Sequence, residues 1–425
     1  MKNCLLSGLT KWIIRGSSSC CLAILVACTP AKVQLNVVPL PNDMEIKTGF
    51  FEVDSAQFAN ESMDKFITCR IDSAFNRDLG EEGYNLSVSS GTIRLNACTE
   101  KGAFYGKQTL KQLLSSRGIP CVEIKDAPRF SYRGLHIDVS RHFFPKEEII
   151  KLLDEMAYYK LNKFHFHLTD NGGWRIQIDK YPRLTSMGAF RTQCEWVEWW
   201  DKKDRTYLPE GTPNAYGGYY TKEDIREILA HAEKLHIEVI PEIEFPAHSD
   251  EVFIGYPELC CTGKPYTSGE FCAGNERTYT FMENVLTEII DLFPSEYIHI
   301  GGDEARKIAW KTCSKCQTLM EKEGLKDLEE LQCYMIARME AFLTSKGKRM
   351  IGWDEINDRN AADISDVIMI WQRDGREQQQ KALKRGLSVI MSPKDPCYFD
   401  FGYSRNSTRR LYEWEPVGKE CTNTQ

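Results

Sequence analysis

The chain has 425 residues, a mass of 48.9 kDa, 42% hydrophobic residues and 27% charged residues. This composition is that of a soluble globular protein, and the length is sufficient for two domains with a large buried core. The net charge of -7 and the isoelectric point near 5.8 argue against nucleic acid as a partner, because nucleic-acid-binding proteins present a basic face.

The N-terminal segment has the pattern of an export signal. Lys2, Lys11 and Arg15 precede a short apolar run that ends at Ala27 and is too brief to span a bilayer. The sequence Leu-Val-Ala-Cys at its end resembles a bacterial lipobox, so residues 1–28 are predicted to be a lipoprotein signal peptide with Cys28 lipidated. We therefore expect an exported bacterial outer-membrane lipoprotein, periplasmic or surface-facing, held at a membrane surface. The alternative is an ordinary signal peptide with a chance cysteine.

Residues 29–126 are predicted to form a small α/β domain. Runs of alternating strand-forming residues indicate strands, and apolar residues at helical spacing indicate a helix. A hairpin turn is expected at Ser89-Ser90-Gly91. The predicted strands lie within 45–53, 84–96 and 120–125, and the predicted helix covers 102–114.

From residue 127 the pattern changes to strand, loop and helix in repetition. This alternation indicates a parallel sheet covered by helices, and the length fits a (β/α)8 TIM-type barrel. Seven strands can be recognised and an eighth cannot, so residues 127–425 are predicted to form a barrel that lacks its last strand-helix unit. The strands are expected at 133–139, 163–168, 237–243, 297–300, 349–352, 367–370 and 387–391.

The end of the fourth barrel strand carries the strongest catalytic signal. Gly301 and Gly302 allow a sharp turn and a closely bound ligand, and Asp303 and Glu304 follow at once. Functional side chains of this fold lie where strands run into the following loops. Two adjacent carboxylates cannot easily both ionise in a dry cleft, so at least one pKa is expected to rise. Glu304 is the first candidate for a general acid.

Other strand ends add acids and aromatic residues to the same rim. Aromatic faces combined with carboxylates suit a site that stacks on sugar rings and hydrogen-bonds their hydroxyl groups. The side chains expected there are Arg133, Asp170, Trp174, Glu242, Glu244, His248, Asp303, Glu304, Trp353, Trp371, Tyr398 and Asp400.

These motifs resemble the family 20 glycoside hydrolases, the β-N-acetylhexosaminidases. The resemblance implies a retaining exo-enzyme that releases terminal non-reducing β-linked GlcNAc or GalNAc from glycans, with no metal or organic cofactor. In such enzymes the 2-acetamido oxygen of the sugar attacks the anomeric carbon and forms an oxazoline intermediate. The matching segments are Arg-Gly-Leu-His-Ile-Asp-Val-Ser-Arg-His-Phe-Phe (133–144), His-Leu-Thr-Asp-Asn-Gly-Gly-Trp-Arg (167–175), Pro-Glu-Ile-Glu-Phe-Pro-Ala-His (241–248), His-Ile-Gly-Gly-Asp-Glu (299–304), Gly-Trp-Asp-Glu (352–355) and Tyr-x-Asp (398–400).

The resemblance also implies roles for the catalytic and pocket residues. Glu304 would be the acid and later the base, and Asp303 would orient the acetamido group and balance its developing charge. Tyr398 would donate a hydrogen bond to the acetamido oxygen. Trp353 and Trp371 would form the walls of the pocket.

Four further residues are given supporting roles by the resemblance. Arg133 and Asp400 would bind ring hydroxyl groups, and Asp170 and His248 would form a relay behind the acid. The family's last barrel strand supplies a tryptophan and a glutamate that close the pocket, and the sequence ends before a matching segment. A truncated protein that binds amino sugars without cleaving them is therefore an alternative to the active enzyme.

The pair His165-x-His167 supports a different enzyme. Two histidines on one face of a barrel strand resemble the start of a metal site in an amidohydrolase-like enzyme. His248, His299 and Asp303 could complete such a site, but the acetamido-pocket motifs would then have no role. The hexosaminidase is the favoured interpretation.

Sixteen cysteines permit disulfides in an exported protein. Cys260, Cys261 and Cys272 share one loop, where a local bridge could form. Cys313-x-x-Cys316 has the spacing of a metal-binding pair, but the sequence shows no second pair beside it. A loop staple or free thiols are therefore favoured over a metal at this position.

Overall fold

The computed structural model describes residues 35–60, 63–74, 77–201, 205–357, 367–400 and 404–418. All elements described below belong to one compact unit, residues 37–425. The predicted lipidation site, Cys28, lies outside the described residues. Within the described part of the chain, no helix has the length and apolar character needed to cross a membrane.

The small domain is a five-stranded sheet with the order β1-β5-β3-β4-β2, covered by a helix. The predicted hairpin is confirmed, since the Ser89 N–H donates to the Thr92 carbonyl at 2.9 Å between β3 and β4. Strand β2 pairs parallel to β4 and was not predicted, because only one of its five residues is buried. The elements are β1 (Asp43–Phe51), α1 (Ser55–Asn60), β2 (Ile67–Ile71), β3 (Tyr84–Val88), β4 (Ile93–Ala97), α2 (Glu100–Leu113) and β5 (Ile119–Asp126).

The larger domain is built on seven parallel strands that follow one another in space in chain order, with β6 and β16 at the edges of the described sheet. All seven predicted barrel strands are confirmed. This is the sheet of a (β/α)8-type barrel without its last strand-helix unit in the described residues. The strands are β6 (Gly134–Asp138), β7 (Lys163–His167), β12 (Glu238–Glu242), β13 (Tyr297–His299), β14 (Arg349–Trp353), β15 (Val367–Ile370) and β16 (Ser388–Met391).

Helices between these strands cover the sheet, and smaller elements occupy the loops after the strands. Two short antiparallel pairs lie in the loops, β8 (Thr169–Asp170) with β9 (Gly173–Trp174) and β10 (Phe190–Arg191) with β11 (Tyr216–Gly217). The helices are α3 (Lys146–Tyr158), α4 (Arg183–Gly188), α5 (Trp196–Trp200), α6 (Lys222–Lys234), α7 (Asp250–Gly255), α8 (Glu276–Leu292), α9 (Ser314–Glu323), α10 (Leu328–Ser345), α11 (Arg376–Lys384), α12 (Lys394–Cys397) and α13 (Thr408–Tyr412).

Side-chain alternation along β7 separates the apolar core from the polar interior. Phe164 and Phe166 are fully buried in the main apolar cluster between sheet and helices. His165 and His167 point the opposite way, because successive side chains of a strand lie on opposite faces. Both histidines instead contact Glu242 of the neighbouring strand β12. The strand therefore supplies the core with one face and the barrel interior with the other.

Candidate active site

The loop after β13 begins with two glycines that the local packing requires. Gly301 has φ 69° and Gly302 has φ 103°, values that favour glycine. A Cβ atom on Gly301 would lie 1.9 Å from a carboxyl oxygen of Glu244. The missing side chain therefore lets the chain pass directly over this buried acid. Glu304 follows with φ 49°, a left-handed conformation that is uncommon for a residue with a side chain and often found at functional sites.

His248 connects the adjacent carboxylates to a buried aspartate. Its Nε2 atom lies 3.4 Å from Asp303 Oδ2 and 3.4 Å from Glu304 Oε2. Its Nδ1 atom lies 3.2 Å from Asp170 Oδ1, and Asp170 is fully buried. The histidine also has a left-handed backbone, with φ 53°. The structure thus brings together the four residues predicted to form the catalytic pair and its relay.

The pKa of Glu304 is controlled by the neighbouring His248. Burial would lower the pKa of His248, but the carboxylates of Asp170 and Asp303 raise it well above its ordinary value. The His248 imidazolium, whose Nε2 atom lies 3.4 Å from Glu304 Oε2, lowers the pKa of Glu304, against the raising effect of burial. A rise in the pKa was expected for at least one of the two adjacent carboxylates, and Glu304 does not show it, because its side chain is about half exposed, 55%, and lies beside a cation.

Two other carboxyl groups near the pair do have raised pKa values. Burial, followed by the charges of Asp303 and Glu242, raises the pKa of Glu244 well above its ordinary value. Burial and the charge of Asp303 raise the pKa of Glu355 to about 8. The Glu355 carboxyl accepts a hydrogen bond from Trp371 Nε1 at 2.8 Å. The charge of Asp303 therefore acts on the pKa values of Glu244 and Glu355.

The predicted aromatic residues form one wall beside the acids. Trp353 and Trp371 are 6% and 9% exposed, and they share a buried cluster against which Tyr398 packs. The rings of Trp371 and Tyr398 lie nearly parallel, at 21° with centroids 6.5 Å apart. Lys394 Nζ lies 3.8 Å from the centre of the Trp371 ring. Asp303 and Glu242 add to burial in raising the pKa of Tyr398, which places this hydroxyl group in the same electrostatic environment.

Arg133 does not lie at this site, which corrects the prediction of a sugar-binding role. It precedes β6, so it lies at the opposite end of the strand from the catalytic loops. Its guanidinium group donates to Glu82 of the small domain at 2.8 Å and to the carbonyls of Lys160 and Phe130, each at 2.8 Å. The residue therefore joins the two domains.

Arg141, which follows β6, is the arginine that faces the site. It contacts Asp138 at 2.8 Å and Asp170 at 2.6 Å, and its side chain remains 30% exposed. Its guanidinium group also lies 5.7 Å from the Trp196 ring of α5. Both arginines belong to the same sequence motif. The position of Arg141 after the end of the strand is the sequence signal that points to a place at the site.

Asp400 is the remaining residue predicted to bind sugar. Asp400 is exposed and follows Tyr398 by two positions. Its role in binding ring hydroxyl groups stays a prediction. Sequence reasoning did not place helix α5 at the site, but the contact of its Trp196 with Arg141 puts it there.

Comparison with known proteins decides between the two enzyme classes. Residues 130–425 match the family model described as glycosyl hydrolase family 20, catalytic domain, and residues 56–127 match glycosyl hydrolase family 20, domain 2. The chain belongs to glycoside hydrolase family 20. The amidohydrolase-like interpretation of the His165 and His167 pair is therefore wrong, and both histidines contact Glu242 in this family 20 domain.

Relatives and solved structures agree with this family. The chain is 36% identical to a β-hexosaminidase of Porphyromonas gingivalis, over 96% of the chain and 59% of that protein, and 39% identical to a β-hexosaminidase of Vibrio furnissii, over 80% and 56%. It matches an exo-β-N-acetylglucosaminidase of Vibrio harveyi in complex with N-acetylglucosamine with TM-score 0.79 and 30% identity, over 91% of the chain and 67% of that chain. The chain spans slightly more than half of the two hexosaminidases.

The contrast between the two arginines of this family 20 domain is testable. Arg141→Lys keeps the charge but removes the planar fork, and should lower kcat/KM on an aryl β-N-acetylglucosaminide by about 10–100-fold, the value of one or two charged hydrogen bonds. Arg133→Lys is the matched control and should lower the melting temperature while kcat/KM stays near wild type. The reverse pattern would restore Arg133 to the site.

The raised pKa of Glu355 predicts a pH-dependent stability. Its folded-state pKa of about 8 exceeds the ordinary 4.5, so the unfolded chain loses this proton first and stability falls as pH rises between these values. Glu355→Gln removes this contribution and should flatten the decline in melting temperature between about pH 5 and pH 8. Glu155→Gln, at an exposed position on α3, should keep the wild-type profile. An unchanged slope in Glu355→Gln would contradict the assignment.

Proposed function

We propose that this protein is a retaining exo-β-N-acetylhexosaminidase that hydrolyses terminal β-linked GlcNAc or GalNAc at the non-reducing ends of glycans. The observation that carries the proposal is the series of side-chain contacts from Asp170 through His248 to Asp303 and Glu304. These contacts end beside the aromatic wall of Trp353, Trp371 and Tyr398. Relatives named β-hexosaminidase and chitobiase support the substrate class.

The positions of the two carboxylates favour attack by the substrate's own amide. Ligand atoms of His248, Asp303 and Glu304 all lie within 4.8 Å of one another. Retaining enzymes with a carboxylate nucleophile place two carboxyl groups about 5–5.5 Å apart, on opposite sides of the scissile bond. Neighbouring residues that contact one imidazole nitrogen leave no room for a sugar ring between them. We therefore infer that both acids act from one side of the sugar and that the amide of the substrate attacks the anomeric carbon.

The proposed reaction has two balanced steps. In the first, the acetamido oxygen forms a bond to the anomeric carbon while the glycosidic bond breaks, and Glu304 gives its proton to the leaving oxygen. In the second, Glu304 takes a proton from water as the water opens the oxazoline, and retention results. Asp303 opposes the positive charge that develops on the amide, and Tyr398 donates a hydrogen bond to the amide oxygen.

Protonation of Glu304 follows from binding. In the free protein the adjacent imidazolium and the solvent favour the ionised acid. A sugar that covers the half-exposed side chain would exclude water, and desolvation raises the pKa of a carboxyl group. The imidazolium of His248 lies 3.4 Å away and can supply the proton, with Asp170 behind it. The relay therefore gives the acid a source of protons when it is covered.

Replacement of the acid tests the proposal directly. Glu304→Gln should lower kcat on an aryl β-N-acetylglucosaminide by roughly 10²–10⁴-fold, since general acid help has this value. The exposed carboxylate in Glu155→Gln is the matched control and should leave turnover unchanged. Substrates that lack the acetamido group should not be cleaved. Equal turnover of plain glucosides, or a wild-type protein that binds an oxazoline-like inhibitor without turnover, would contradict the proposal.

We also propose that the enzyme is exported and anchored through a lipid on Cys28. The basic residues before the apolar run and the Leu-Val-Ala-Cys sequence support this proposal. Metabolic labelling with a fatty acid should mark the wild-type protein in the membrane fraction. Cys28→Ser should lose both the label and the membrane association, and retention of both would contradict the anchor.

A further inference from the structure

Four cysteines meet away from the carboxylates, between two loops that carry catalytic residues. Cys261 and Cys272 belong to the segment between β12 and α8. Cys313 caps α9, and Cys316 lies in its first turn. The structure supplies the second pair that the sequence did not reveal beside Cys313-x-x-Cys316.

The sulfur atoms have the spacing of a tetrahedral site. Sγ of Cys261 lies 3.7 Å from Sγ of Cys316, and Sγ of Cys272 lies 3.7 Å from Cys313 and 3.8 Å from Cys316. All four atoms lie within 4.8 Å of one another. Zinc–thiolate bonds of about 2.3 Å in a tetrahedron separate the sulfurs by about 3.8 Å. The three observed sulfur–sulfur distances match this separation.

The same distances do not define two disulfides. In a pair of disulfides each sulfur has one near partner and two distant sulfurs. Here Cys272 is equally close to Cys313 and Cys316, and Cys316 is equally close to Cys261 and Cys272. Such shared proximity is what one central ion would produce.

The surrounding backbone is shaped to allow this meeting. A Cβ on Gly274 would lie 2.1 Å from the backbone carbon of Lys315 and 2.5 Å from the nitrogen of Cys316, so only glycine permits the contact. Its N–H donates to the Cys316 sulfur, as expected for a thiolate ligand that accepts hydrogen bonds. Cys272 and Cys316 are 2% and 0% exposed, which shields the site from water.

The neighbouring Cys260 shows that the arrangement is selective. Its sulfur lies 3.2 Å from the Pro257 carbonyl and 3.4 Å from the Lys264 carbonyl, within its own loop. It does not belong to the group of four. Adjacent cysteines in one loop therefore face different environments, and only Cys261 reaches α9.

We propose that Cys261, Cys272, Cys313 and Cys316 bind one structural zinc ion. Four thiolates in a tetrahedron form a closed structural site, and soft sulfur ligands in this geometry favour zinc. The ion has no open position and takes no part in the hydrolysis.

The proposed ion fastens the loop of Glu304 to the loop after β12. Between the cysteines and the active site, the Glu270 carboxylate accepts hydrogen bonds from the N–H groups of Arg306 at 2.9 Å and Lys307 at 3.1 Å. The Phe271 carbonyl accepts a hydrogen bond from Trp310 Nε1 at 2.8 Å. Zinc would therefore stabilise the segment that follows the catalytic pair.

Metal analysis of the full chain, purified without chelator, tests the site independently of activity. We expect inductively coupled plasma mass spectrometry to find one zinc ion per chain. Cobalt substituted for zinc should show thiolate-to-cobalt charge transfer and tetrahedral bands. Cys313→Ser and Cys316→Ser should lose nearly all of the zinc and melt at lower temperature. Cys260→Ser is the matched control and should keep both the metal and the melting temperature.

Several results would overturn the proposal. Alkylation of the unfolded, unreduced protein in chelator should label all four thiols, and failure to label them, with no zinc present, would show two disulfides. Free thiols that do not take up added zinc or cobalt would also contradict the site. Bound iron would overturn the identity of the metal, and zinc loss in Cys260→Ser equal to that in Cys316→Ser would overturn the ligand set.

Discussion

The buried carboxylate of Glu242 contacts side chains from several other strands in the interior of the barrel. It is fully buried and lies 2.8 Å from His165, 2.7 Å from His167 and 3.0 Å from His299, while Trp353 Nε1 donates to it at 2.8 Å. Burial alone would raise the pKa of Glu242, but the surrounding histidines lower it well below its ordinary value. A buried charge without partners is expensive, so the strands that carry these partners are held in one register. The position of the Trp353 wall depends on this contact.

The charges above Glu242 follow from the same constraint. His167 bridges Glu242 and Asp170, and these carboxylates raise its pKa well above the ordinary value although burial opposes the shift. Asp170 is then ionised between His167, Arg141 and His248. One line of alternating charge thus runs from the barrel interior to the catalytic pair. Glu244 lies beside this line without a hydrogen-bond partner for its carboxyl oxygens among the described residues, and burial together with the charges of Asp303 and Glu242 raises its pKa well above the ordinary value.

Local pattern predicted the strands and the glycine loop that carries Asp303 and Glu304, because period-2 alternation and Gly-Gly before two acids are short-range signals. The resemblance gave the sugar-binding role to Arg133, the wrong one of the two arginines in its motif, since β6 begins after Arg133 and ends before Arg141. The pKa of Glu304 could not be predicted from its neighbour Asp303. It depends on His248, 56 positions away in the chain, whose pKa is raised by Asp170 and Asp303. The spacing of residues in the sequence does not predict long-range contacts of this kind.

Two supports of different chemistry converge on Glu304. From the barrel side, Gly301 packs over the buried Glu244, and a side chain there would push the loop outward. From the outer side, Glu270 holds the backbone just after the acid. A residue with left-handed φ is strained and persists only when its surroundings determine it. Because Glu304 is half exposed and cannot be held by its own packing, the loop has to be fixed from both sides, and the group of four cysteines lies where the outer support is anchored.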